Sequence, residues 1–247
     1  MRDSNYRIRY IIGGMDKDIT IHIASEKHLS YVDIILHTIS EAAKVRGTGI
    51  AKRNPEYVKL KIVEGKAIIA LAGDVFAGFC YIESWGHDKF VANSGLIVAD
   101  QFRGRGLARD IKRQAFELSR LRYPQAKIFG LTTGLAVMKI NSELGYKPVT
   151  FSELTDDEQF WKGCQSCVNY DILLRTNRKH CLCTGMLYDP EKEEMRNSKS
   201  LPQKKLKVYE RWLQFKRFVF LKNNKKGNGG SAATEKNFFQ RLMVFFF

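Results

Sequence analysis

The chain alternates apolar and polar residues over Ile19–Ser25, as a strand with one buried face does. Residues 28–45 then place Leu29, Val32, Ile35, Leu36 and Ile39 near helical spacing, which predicts a helix ending before Gly47. A polar stretch follows, and Pro55 suits the first turn of a second helix. Two apolar runs, 66–73 and 75–85, meet at Gly73-Asp74, a hairpin turn signal. Another strand is predicted over 89–98, then a helix to about Leu121, before Pro124. Residues 127–133 read as a strand, 135–144 as a helix stopped at Gly145, and 168–176 as a late strand. This order predicts an α/β domain with a mixed, mostly antiparallel sheet flanked by helices.

The pattern changes beyond Pro190, where charge runs lead to a basic amphipathic stretch over 206–226 and a Gly/Ser-rich linker. We therefore expect an N-terminal extension over 1–18, one domain over 19–190 and a basic helical tail over 191–247. The net charge of +15 is concentrated in that tail, where 14 Lys/Arg face 5 Asp/Glu. Such a tail suits an anionic surface or a subunit contact. The first residues carry no long apolar run, and none of about 20 residues occurs elsewhere. A cytoplasmic protein without a membrane span is the expectation, and five cysteines then point to thiols or metal ligands instead of disulfides.

The candidate chemistry begins at "QFRGRGLA", Gln101 to Ala108, immediately before a predicted helix. The first amides of a helix lack internal partners and carry partial positive charge. A preceding loop without side chains lets a phosphate approach them, and glycine permits the dihedrals that turn several N–H groups toward one anion. The Walker pattern is excluded because Leu107-Ala108 follows Gly106 where Lys-Ser/Thr is required. The dinucleotide fingerprint is excluded because residue 109 is arginine.

The form Q-x-x-G-x-G-x-A resembles the acetyl-CoA loop of the GNAT N-acyltransferases. The element order agrees, and "INSELGYKPV" (140–149) is similar to the family's second motif, a helix ending in a Gly-aromatic pair. The resemblance covers roughly residues 19–189 and implies a GNAT-like fold with acetyl-CoA as co-substrate and a small-molecule amine as acceptor. It also implies that backbone amides of Arg103, Gly104, Arg105, Gly106, Leu107 and Ala108 hold the pyrophosphate, with Gln101 bracing the loop. Leu96, Ile97 and Val98 would run beside the pantetheine arm, one of their amides polarising the thioester carbonyl. The segment from Arg46 to Tyr146, from "RGTGIAKR" through "GLTTGLAVMKINSELGY", also resembles a bacterial subgroup associated with arginine biosynthesis, whose acceptor is glutamate.

Two family positions differ. The tyrosine that protonates the departing sulfur in many members is Asn141 here, which hydrogen-bonds but is no acid. Tyr146, next to the motif glycine, is a packing residue or a displaced catalytic one. Glu83, near the predicted opening of the central strands, is the candidate base. Arg46, Thr48 and Arg53, in or beside the loop between the first two helices, could bind a carboxylate of the acceptor. Cys80, inside an apolar run, reads as a small core residue.

Cys164-x-x-Cys167 and Cys181-x-Cys183 leave two readings open, a structural zinc or reduced thiols. If residues 168–175 and 179–186 formed a hairpin, Cys164 would lie about 26 Å along the strand from the position opposite Cys181, too far to share a metal unless the chain curls back. Rival functions are a zinc-stabilised, basic nucleic-acid-binding protein, and a CoA-binding fold without catalysis.

Overall fold

The apolar runs at the centre of the sequence carry few polar positions because the sheet they form is covered on both faces. In the computed structural model the described residues are 6–12, 15–46 and 53–200, with side chains described over 18–45 and 53–196. Eight strands form one sheet: β1 (Tyr6–Ile12), β2 (Met15–Ile23), β3 (Ala67–Ala72), β4 (Val75–Trp85), β5 (Phe90–Val98), β6 (Lys127–Thr132), β7 (Lys147–Val149) and β8 (Thr184–Tyr188). Their spatial order is β1-β2-β3-β4-β5-β6-β8-β7, and every neighbouring pair is antiparallel except β5–β6. The helices are α1 (Val32–Arg46), α2 (Pro55–Val63), α3 (Leu107–Arg122), α4 (Leu135–Glu143), α5 (Glu158–Lys162), α6 (Tyr170–Arg175) and α7 (Pro190–Ser200). The expected mixed, mostly antiparallel sheet flanked by helices is the architecture found.

Alternation along β3 divides the core. Ile68 and Ala70 face α3, which buries Leu107, Ile111, Ala115 and Leu118 against them. Ala67, Ile69 and Leu71 face the opposite layer, built from Val32, Ile35 and Ile39 of α1 with Val58 and Ile62 of α2. A third cluster, including Phe129, Phe151, Trp161 and Leu173, packs beneath α5 and α6.

Two expectations are corrected here. The segment expected as an N-terminal extension forms β1 and the first part of β2, paired from Tyr6↔Ile21 to Ile12↔Met15. The late strand expected at 168–176 is instead helix α6, preceded by a 3₁₀ turn at Gly163–Ser166. Tyr170 and Leu173 stand three residues apart, so a helical turn carries both to the third cluster, which a strand would not do.

The chain divides into two compact units, Met1–Lys192 and Glu193–Phe247. The described part of the second is helical, with Arg196 paired to Glu193 at 3.0 Å. The amphipathic stretch at 206–226 and the Gly/Ser-rich linker lie outside the described residues. Among the described residues no helix is long and apolar enough to cross a membrane.

Candidate active site

β5 and β6 pair for three residues only, from Phe90↔Lys127 to Ala92↔Phe129. Past that point β5 continues against β4, and β6 against β8, so the two parallel strands part. The gap opens into a cleft of about 420 Å³, lined by Asn93–Ile97 on one side and Gly130–Thr133 on the other. Leu96 and Ile97 thus line this cleft, while Val98 is buried in the core beside α3.

Register shifts across this wall. Phe79 pairs with Ile97 but Tyr81 with Ser94, leaving an extra residue on β5. Gly95 supplies the kink at φ +67°, and a Cβ there would stand 2.7 Å from Cε1 of Tyr81. A bulge of this kind interrupts the ladder and frees main-chain groups beside the cleft. The glycine within an apolar strand was the sequence signal for it. Opposite the bulge, Cys80 is fully buried and donates to the Ser94 carbonyl at 3.4 Å. Burial pushes its thiol up to about 11, in keeping with a core residue.

The glycine loop lies at the far end of β5. Gly104 (φ +76°) and Gly106 (φ +88°) are both left-handed, and a Cβ built on either meets nothing within 4 Å. The loop thus presents open space over the start of α3, ahead of Arg109, whose amide first bonds back to the Gly106 carbonyl at 2.9 Å. Leu107 and Ala108 carry the leading amides. Two expectations change. The Arg103 amide is already spent on the Asp100 carbonyl at 3.2 Å. Gln101 is exposed, and the loop is braced by Arg103, whose Nε donates to the Val98 carbonyl at 3.0 Å while its guanidinium pairs with Asp100 at 2.7 Å. Arg105 is exposed at the rim. This cradle fits a pyrophosphate, since anything larger than glycine at 104 or 106 would fill the space.

Glu83 lies on the cleft wall, where Tyr57 donates to its Oε2 at 2.6 Å and the buried Lys61 ammonium pairs with the same oxygen. Arg53 lines the same end, its Nε donating to the Tyr81 hydroxyl at 2.7 Å. The side chain of Arg46 and the whole of Thr48 lie outside the described residues. Asn141 lines the cleft from α4, with 1% of its surface exposed and, among the described residues, no hydrogen-bond partner for Oδ1.

Of the two roles the sequence left open for Tyr146, its surroundings are those of a packing residue. It has no exposed surface, packs against Phe116 and Tyr188, and donates to Asn93 Oδ1 at 2.9 Å. Burial raises its phenol well above the usual range. Gly145, at φ +91°, ends α4 before it as the motif implied.

Asn93 and Lys112 were not singled out from the sequence. Lys112 falls at helical spacing from Ala108, Ala115 and Ser119, inside the buried stripe of α3, and that placement was the available signal. Its Nζ donates to Asn93 Oδ1 at 3.1 Å and lies 5.1 Å from the Tyr146 ring centroid. Asn93 in turn donates to Ser119 Oγ at 2.8 Å.

The four cysteines meet at the other end of the cleft. The chain curls back through α6 and a turn at Asn177 (φ +49°) and Arg178 (φ +61°), so the hairpin separation does not apply. Cys164, Cys167, Cys181 and Cys183 all line the cleft as free thiols. Burial, with Cys181, Cys167 and Cys164 nearby, pushes Cys183 up to about 12, and burial pushes Cys164 up to about 11. Among the described residues no group of three or more His, Cys, Asp or Glu side chains is arranged to hold a metal ion. Of the two readings the sequence left open, zinc is therefore unsupported, and the cysteines stand as half-buried thiols in the cleft wall.

No protein-family model matches the sequence, and no curated protein matches it. Solved structures do. N-acetylglutamate synthase from Neisseria gonorrhoeae, complexed with coenzyme A and N-acetyl-glutamate, aligns at TM-score 0.50 and 15% identity over 69% of this chain and 35% of that one. This chain thus spans about a third of that enzyme's length. A GNAT-family acetyltransferase from Listeria monocytogenes aligns at TM-score 0.48 and 10% identity, covering 74% of this chain and 99% of its own. Diaminobutyrate acetyltransferase EctA from Paenibacillus lautus, in complex with L-2,4-diaminobutyric acid and coenzyme A, aligns at TM-score 0.47 and 10% identity over 70% and 96%. The fold of this chain is GNAT-like.

Proposed function

We propose that the protein is an acyl-CoA-dependent N-acyltransferase that uses acetyl-CoA and the amine of a small acceptor. The observation that carries this reading is the cleft between the parted strands β5 and β6, together with the open glycine turn at Gly104 and Gly106 that follows β5 in the chain and leads into α3. In this reading residues 19–190 are the catalytic domain and 191–247 an appendage. The amides leading α3 hold the pyrophosphate, and the arm runs along Leu96–Val98. An amide freed at the β5 bulge polarises the acyl carbonyl, and holding both substrates in one cleft supplies much of the rate.

The acceptor end is the wall of Arg53, Tyr57 and Glu83. A half-buried arginine there suits a carboxylate-bearing amine, and glutamate is our first choice. Support comes from the resemblance over 46–146, and from the likeness to a synthase complexed with N-acetyl-glutamate. Glu83 is the candidate base. Its carboxylate already accepts from Tyr57 and Lys61, so its role is to place a water or the amine as much as to take a proton.

Calorimetry with coenzyme A and acetyl-CoA tests the cofactor. Thiol release from acetyl-CoA and succinyl-CoA across an amino-acid panel tests the reaction. Saturable binding with thiol release on glutamate is the expected result. Absence of coenzyme A uptake overturns the reading, and uptake with no turnover on any amine leaves a binding protein only.

A further inference from the structure

Lys112 is a cation without a counter-charge. It keeps 2% of its surface exposed, and among the described residues no carboxylate lies within ion-pair distance of it. The groups it contacts are neutral, the Asn93 side-chain carbonyl oxygen and the face of Tyr146. A buried ammonium so placed is costly, and such groups persist where an anion completes them. Lys112 nevertheless lines the cleft, at the point where β5 and β6 part.

A second observation points into the same spot. A Cβ built on Gly130 would stand 3.9 Å from Lys112 Nζ and 4.0 Å from Asn141 Nδ2, so both side chains reach over the same glycine. Asn141 is buried, and among the described residues its Oδ1 has no partner. An unpaired acceptor and an unbalanced cation thus share one end of the cleft, the pairing needed by a group that carries a proton in one state and a negative charge in another. The floor there is glycine, which leaves room for a large atom such as sulfur.

We propose that Lys112 is the acid that protonates the departing sulfur of coenzyme A, with Asn141 holding the resulting thiol through Oδ1. This rests on the acyltransferase reading above. The acceptor nitrogen forms its bond to the acyl carbon, and the carbon–sulfur bond breaks with its electron pair on sulfur. Lys112 gives its proton to that sulfur, leaving coenzyme A as the thiol and lysine as the neutral amine. The proton shed by the acceptor nitrogen passes to water, from which Lys112 is recharged once the cleft empties. Burial lowers the ammonium to about 8, near the range where proton transfer to a thiolate is nearly balanced. The titratable groups facing it are Cys80 from β4 and Tyr146 from the turn after α4, while β3 presents Ile68 and Ala70 to the same core.

The test uses the full chain and free coenzyme A, and reads the ultraviolet absorbance of the thiolate in the complex as pH is raised. Bound to the wild-type protein, the coenzyme A thiol ionises at lower pH than in solution, because the ammonium stabilises the thiolate. In Lys112→Met and Lys112→Gln the shift is lost, while affinity for coenzyme A stays within about threefold. With acetyl-CoA and a working acceptor, the same variants lose about 10²–10³ in kcat with little change in KM. A purely structural Lys112 predicts that Lys112→Met melts below wild type, whereas in the acid role methionine only replaces a buried charge with an apolar side chain. We expect its melting temperature at pH 7 to equal or exceed that of wild type. Should both variants bind coenzyme A with the wild-type thiol titration, the proposal is overturned. Should no protein bind coenzyme A, wild type included, the acyltransferase reading falls first and takes the proposal with it.

Discussion

Gly104 and Gly106 hold left-handed dihedrals over empty space, so a side chain there acts on the ligand more than on the fold. Gly106→Val is expected to cost about 1–3 kcal/mol in backbone strain and to weaken coenzyme A binding at least tenfold by calorimetry. Unchanged affinity in a folded variant would remove the cradle from the argument. Gly95→Ala differs, because its Cβ would collide with the Tyr81 ring at 2.7 Å as well as strain the bulge. We expect the loss to appear in urea denaturation, about 2 kcal/mol or more, with turnover falling as the wall shifts. Tyr146→Phe removes one buried hydrogen bond to Asn93, about 1 kcal/mol of stability, and should keep turnover within a few-fold. A hundredfold loss of kcat in that variant would return Tyr146 to the chemistry.

Between elements, the buried pair of Lys61 on α2 and Glu83 on β4 ties the helical layer to the cleft wall. Lys61→Met leaves Glu83 without its cation and should cost about 3–5 kcal/mol, whereas Lys61→Met with Glu83→Leu should recover much of that loss. A double-mutant cycle in urea reads the coupling, and additive losses would show that the pair does not bind the two elements. The turn before α1 carries a pH dependence of its own. His28, 3% exposed, accepts from the Ser25 amide through Nδ1 at 3.0 Å. Burial, then the charges of Lys27 and His22, hold its pKa below the usual 6.5. Because the folded value is depressed, the unfolded chain takes up the proton first. Stability is then full above about pH 6.5 and falls as pH drops below it. His28→Asn should flatten that part of the melting-temperature profile between pH 7 and 5.

At the scale of the molecule, one cleft is lined both by the parted strands and by four free thiols. Since Cys164 and Cys183 are pushed up to about 11 and about 12, their thiols should alkylate slowly at neutral pH. The rate should then rise about tenfold per pH unit until those values are neared. Mass spectrometry of iodoacetamide-treated protein checks this by site, and a rate already level at pH 8 would contradict the burial argument. Occupancy of the acceptor end should slow the labelling, because these side chains line the same cavity.

The local pattern determined most of the scaffold. Alternation and helical spacing were enough for β3 to β6 and α1 to α4, because burial on a sheet face or helix stripe selects residues at those periods. The glycine loop was legible for a similar reason, since only glycine adopts φ +76° and +88° at low cost. Residues 168–176 were misread because a six-residue helix has too few turns to show its period, and contacts distant in sequence decide it. Distant contacts also decided where chemistry can occur. Tyr146 and Asn141 are five residues apart, yet packing against Phe116 and Tyr188 puts the first in the core while the second lines the cleft. Lys112 reads as one basic residue among many in α3, and only the sheet folded against that helix makes it a buried cation at the point where two strands separate. Period is a property of neighbours along the chain, whereas burial of a charge depends on what the rest of the molecule brings to it.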